Sequence, residues 1–219
     1  MSTPRMSSTE SVKLNSLWGP RGGGGAERED AARLLFGMGV TQRWFTEIGF
    51  EFARGADSGT KLEAVEWENI FQLTEQGEYP VDVGLLVEIE RPQDRSEGYE
   101  LKVGPLFQTD VGRFQLNGNL IFERHIDARE ESHTELAYQW QVKYRWKPAF
   151  EFGAMGFGDL GKWDNWEPHH EQSHLLGPAV FGKLPVGERK AVKYNAAYLT
   201  GVTDGAADHV LRLQLEYEF

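Results

Sequence analysis

The chain contains no cysteine. That excludes disulfides, thiolate metal sites and cysteine nucleophiles, and it suits a cell envelope as readily as a cytosol. No run of about 18 apolar residues is present, the length a helix needs to cross a bilayer. A transmembrane barrel stays open as an answer, because its alternating strands average out to polar. Positive charge is scarce as well: 23 Lys and Arg stand against 34 Asp and Glu, for a net charge of −11. No basic stripe is left for phosphates, so nucleic acid is not an expected partner. The opening stretch MSTPRMSSTESVKLNSLWG also lacks the apolar centre of a secretory signal.

What the chain does have is alternation. From Ala32 onward it repeats one scheme of about ten alternating residues followed by a turn. Leu34, Phe36, Met38 and Val40 oppose Arg33, Leu35, Gly37 and Gly39; Ile48, Phe50 and Phe52 oppose Glu47, Gly49 and Glu51. Val65, Trp67, Phe71 and Leu73 oppose Glu66, Glu68 and Gln72, and Val81, Val83, Leu85, Val87 and Ile89 oppose Asp82, Gly84, Glu88 and Glu90. The pattern returns around Tyr99, Phe114, Leu136 and Val192, and closes on HVLRLQLEYEF, where Leu211, Leu213, Leu215, Tyr217 and Phe219 alternate with Arg212, Gln214, Glu216 and Glu218. Side chains in a strand have a period of 2, so each segment has one apolar and one polar face. No segment of comparable length has helical period, and the chain reads as all-β.

The connections alternate in length. Short ones fall at 41–43, 77–80, 111–112, 147–148 and 185–188; longer polar ones are GPRGGGGAERED, ARGADSGT, PQDRSEG, DAREESH and DNWEPHHEQS. Short turns at one end and long loops at the other describe a single closed antiparallel up-and-down transmembrane β-barrel. Residues 32–219 form the barrel in this reading. Residues 1–31 form a poorly defined segment, in which 12–18 supply a weak first strand and bring the count to about twelve. An even count returns both termini to one side. Trp44, Phe107, Phe114, Trp146, Phe150 and Phe219 then fall near the short-turn rim, and Tyr99, Phe122, Trp163 and Tyr198 near the other, as two aromatic belts. The apolar faces meet lipid and the charged faces line the lumen. A soluble lipocalin-like carrier is the alternative, with its charges outward. Because a barrel of this kind is exported, a trimmed start or an initiation site placed too late is the expected reason that no signal peptide is visible.

The ending Leu215-Glu216-Tyr217-Glu218-Phe219 resembles the carboxy-terminal signal that assembly machinery reads on bacterial outer-membrane proteins. The segments VEWENIFQLTEQGEYPVDVGLLVEIERP, EGYELKVGPLFQTDVGRFQLNGNLIFERH and YQWQVKYRWKPAFEFGAMGFGDLG are similar to a family of proteobacterial outer-membrane β-barrel proteins with no assigned activity. The resemblance implies an outer-membrane location, contact with outer-membrane lipid, and the barrel-assembly machinery as a partner through the strand ending at Phe219.

If the polar faces line the lumen, the inward acids are Glu47, Glu51, Glu66, Glu68, Asp82, Glu88, Glu90, Glu100, Glu123, Glu135, Glu151, Asp159, Glu216 and Glu218. The inward bases are Arg33, Lys102, Lys143, Arg145, Lys183, Lys193 and Arg212. About twelve strands lie between a lumen filled by side chains and a water channel. The expectation is therefore a narrow passive pore for small polar or cationic solutes, or a structural envelope barrel with an internal salt-bridge lattice. The Glu66, Glu68, Glu88 and Glu90 cluster is expected to crowd on adjacent strands. Gly104-Pro105 and Gly177-Pro178 interrupt good strands and are expected to mark bulges.

Two signals point to chemistry. Ser173 and His174 with Glu171 suggest a lipid-acting hydrolase, but neighbours in a strand face opposite ways, so no catalytic residue is assigned. His169, His170 and His174 with Glu167 and Glu171 have the side chains of a transition-metal site. A polar loop at an external mouth is usually just solvated, and no metal or other cofactor is expected.

Overall fold

The computed structural model describes residues 10–20, 28–54 and 59–219. Expectations for the segment before Glu10, and for the loop positions 21–27 and 55–58, lie outside the described residues. Twelve strands are present: β1 Ser11–Pro20, β2 Arg28–Thr41, β3 Trp44–Arg54, β4 Lys61–Gln72, β5 Asp82–Pro92, β6 Tyr99–Val111, β7 Phe114–Ile126, β8 Glu135–Lys147, β9 Phe150–Lys162, β10 Ser173–Gly187, β11 Lys190–Gly201 and β12 His209–Glu218. Each pairs antiparallel with its sequence neighbours, and β1 pairs with β12 to close the barrel. The barrel therefore takes in residues upstream of Ala32. At the seam Lys13 lies opposite Glu216 and Leu14 opposite Leu215, and the Phe219 N–H donates to the Glu10 carbonyl at 3.1 Å.

Strand length fits a bilayer. β6, β7, β8 and β9 have 13 residues each. At about 3.3 Å per residue and a tilt of about 40°, such a strand rises about 33 Å, close to a hydrocarbon core of about 30 Å. The two faces are sorted as the alternation requires. Ile48 is 50% exposed, whereas its neighbour Glu47 is 2% exposed. Rings pack on one another near the turns, as Trp44 on Phe71, Phe114 on Tyr144 and Trp146 on Phe150. At the long-loop end Phe122 meets Trp163 and Tyr198 stacks on His209.

Two local expectations are corrected. The connection expected at 77–80 occupies residues 73–81, so Val81 precedes β5 instead of belonging to it. The Leu73 and Thr74 N–H groups both donate to the Val83 carbonyl, and the Val83 N–H donates to Thr74 Oγ1. The ladder thus ends in a compact, hydrogen-bonded knot that alternation cannot reveal. Nor are Gly104-Pro105 and Gly177-Pro178 bulges. Val103 pairs with Phe122 and Leu106 with Asn119 in unbroken register. Leu176 pairs with Thr200 and Ala179 with Ala197 in the same way. The ladder skips two residues at each proline, where a donor is missing, without a slip in register. Glycine is needed beside it because a Cβ on Gly104 would overlap the Leu120 carbonyl, and one on Gly177 the Tyr198 carbonyl.

Candidate functional site: the barrel lumen

Acids of β3 to β6 form a lattice around three bases. Arg33 on β2 reaches Glu51 at 2.7 Å, Glu66 on β4 at 3.2 Å and Glu90 on β5 at 3.9 Å. A contact that skips strands in this way runs through the interior. Lys102 lies between Glu88 at 3.0 Å, Glu90 at 3.2 Å and Glu100 at 3.1 Å, and Lys13 on β1 meets Glu47 on β3 at 2.8 Å. Glu66 is the register partner of Glu90, and Glu68 of Glu88. Buried carboxylates crowded like this need a shared cation, because an unpaired buried charge is costly. Glycines give them room: Gly37 faces Glu47 and Gly49 faces Glu66, and a Cβ at either glycine would overlap that glutamate side chain.

Glu51, Glu66 and Glu90 offer oxygens within 4.8 Å of one another, a spacing that could hold a metal ion. The Arg33 guanidinium already sits among them, so the triad is an ion-paired cluster. Glu68 and Glu123 form no ion pair among the described residues. Asp82 accepts from the Gly77 N–H at 2.7 Å.

The opposite wall differs. Lys143 pairs with Glu151 at 3.1 Å, Arg145 with Asp110 at 3.0 Å, and Lys183 with Glu218 at 2.7 Å. Lys193 meets Glu216 at 3.6 Å and also Glu218. Arg212 has no carboxylate partner among the described residues. Its Nη1 donates to Asn195 Oδ1 at 3.0 Å, and its guanidinium carbon lies 5.5 Å from the centre of the Phe157 ring.

Higher on the same wall the interior is apolar. Met155, Ala179, Phe181, Ala197 and Leu199 pack together with Phe157, Leu175 and Val210 against them. Alternation hides this patch, because EFGAMGFGDLG and HLLGPAVFG carry small or apolar residues at both parities. Counting apolar residues on the inward parity of these two segments would have exposed it.

Two cavities open between the walls. One, of about 490 Å³, is lined by Gln72, Asn117, Asn119, Gln139, Phe157 and Arg212 among others. The other, of about 700 Å³, is lined by Lys143, Arg145, Glu151, Lys183, Lys193 and Glu216 among others. They share Gln76, Gln108, Gln115, Gln141, Asn195 and Gln214 and therefore adjoin. A belt of primary amides offers both donors and acceptors without fixed charge.

The histidine-bearing loop sits elsewhere. Ser173 pairs in register with the inward Asp159, while His174 projects from the outer wall. There the His174 ring nitrogens meet the Tyr138 hydroxyl at 2.9 Å and Gln172 Oε1 at 2.8 Å. With both nitrogens engaged, His174 is neither a base for Ser173 nor a free metal ligand. In the loop between β5 and β6, Asp94 accepts from the Ser96 hydroxyl and N–H, which holds its carboxyl below the usual carboxylate range.

No family model matches the chain, and no curated protein matches it. Solved structures do. The NanC porin is 11% identical with a TM-score of 0.61, over 96% of this chain and 100% of that one. An outer-membrane channel from Pseudomonas putida F1 is 13% identical with a TM-score of 0.59, over 99% and 96%. The translocator domain of the autotransporter NalP from Neisseria meningitidis is 10% identical with a TM-score of 0.58, over 97% and 89%. At such identities the likeness is one of fold: the chain has the closed β-barrel architecture of bacterial outer-membrane proteins.

Proposed function

We propose that this protein resides in the bacterial outer membrane and acts there as a narrow passive pore for small polar solutes, without enzymatic activity. The carrying observation is the adjoining pair of cavities, lined in common by a belt of amides, inside a wall whose outer face is apolar. Of the solute classes expected from the sequence, the polar one is favoured over the cationic one. The carboxylates that would attract cations are mostly tied to Lys13, Arg33 and Lys102, whereas the open space lies against amides. Outer-membrane lipid is the surrounding partner. Assembly through the strand ending at Phe219, and membership of the proteobacterial barrel family that the sequence resembles, belong to the same reading and rest on the quoted segments. The test is a planar-bilayer recording on the refolded full chain in potassium chloride. Small, discrete, voltage-independent steps are expected; a folded, inserted protein that passes no current would sink the pore.

A further inference from the structure

The geometry points to a binding site for the carboxylate of a small organic acid at Arg212, in the narrower cavity. The site rests on the pore reading and names the class of solute that the pore favours. Every other base named above in the lumen is ion-paired: Lys13, Arg33 and Lys102 on the acidic wall, and Lys143, Arg145, Lys183 and Lys193 on the other. Arg212 alone among these has none, and it is the one that lines the cavity of about 490 Å³.

Its orientation is fixed by neutral neighbours. Asn195 Nδ2 donates to Gln214 Oε1, which turns Asn195 Oδ1 towards Arg212 Nη1. Phe157 supports the guanidinium plane, and Met155 Sδ lies 4.0 Å from the same Nη1. Nε and Nη2 carry no hydrogen bond among the described residues. A planar fork held in place with donors to spare matches a planar carboxylate, which it can grip with two parallel hydrogen bonds. The rest of the cavity selects the remainder of the solute. Ile70, Leu106, Met155 and Phe157 present apolar surface, while Asn119 and Gln139 present amides. A compact acid with one carboxylate and a partly apolar body fits that lining.

Benzoate is the probe, with benzamide as its neutral, nearly isosteric control. Calorimetric titration of the full chain in detergent micelles should give benzoate an affinity about tenfold above that of benzamide, the worth of one charge-assisted contact. Arg212→Gln should abolish the difference. Asn195→Asp should abolish it too, by placing a counter-ion beside an intact Arg212; this second variant keeps the test decisive if the first misfolds. Equal affinities in the unaltered protein, or a preference that survives both substitutions, would overturn the site. Benzoate preference in a protein that passes no potassium chloride current would discard the pore while leaving the carboxylate site standing.

Discussion

At the scale of single residues, a formal charge in the lumen matters according to what else can answer it. Lys102 holds three glutamates and is itself only 13% exposed, with Glu88, Glu90 and Glu100 at 7%, 11% and 16%. Lys102→Met should therefore leave carboxylates buried without their cation and cost about 3 kcal/mol of folding stability. Arg145 and Asp110 are about a third exposed, at 32% and 35%, and water screens them, so Arg145→Gln should cost about 1 kcal/mol or less. Urea midpoints for folding into lipid vesicles compare the two; equal losses would contradict the lattice. Residue parity was legible from the alternation alone, because Glu47, Glu66 and Glu88 stand at regular offsets between apolar residues. Their partners were not legible. Arg33 meets Glu90 across two intervening strands, and nothing local records a contact closed by the curvature of the whole sheet. The isolation of Arg212 was hidden for the same reason.

At the scale of elements, a strand announces itself only when its two faces differ. β12 alternates without a fault, whereas β1 is poorly marked. Register sets Ser16 opposite Leu213 on the outer face and Leu17 opposite Arg212 on the inner one. A small polar residue outside and a leucine inside blur the period, yet β1 is the strand that closes the barrel. Its register can be tested directly, since the chain has no native cysteine to confuse the result. Leu14 and Leu215 are opposite one another and are 41% and 39% exposed. Opposed strand residues bring their Cα atoms to about 4.5–5.5 Å, within reach of a disulfide. The pair Leu14→Cys and Leu215→Cys should cross-link on mild oxidation and shift the electrophoretic mobility of the denatured chain. The pair Leu14→Cys and Leu211→Cys is displaced by about 13 Å along the strand and should not. Cross-linking of the second pair with equal ease would mean that β1 is not fixed in this register.

At the scale of the whole molecule, the decisive feature is which side of the wall is oily. Alternation leaves that undecided: the same strands could enclose an apolar centre and show their charges to water. Strand length, unequal ends and the two aromatic belts favoured the lipid-facing answer, and the strand-skipping ion pairs place the charges inside. The inside is still not uniform, since β9 to β12 carry an apolar patch into the lumen. This sorting predicts how an added charge should behave with depth. Leu213 lies midway along β12, while Phe114 begins β7 beside a short turn; both alternate with inward residues and face out. In a membrane, Leu213→Arg places a guanidinium near the hydrocarbon midplane and should cost about 2–4 kcal/mol, whereas Phe114→Arg can reach the interface and should cost about 0–1 kcal/mol from its charge. If this outward face met water instead of lipid, both arginines would be harmless. Tryptophan fluorescence during urea titration in vesicles reads the difference, helped by the chain's seven tryptophans. A flat response to depth would mean that no hydrocarbon surrounds this wall, and the lumen would lose its claim to be a path across a membrane.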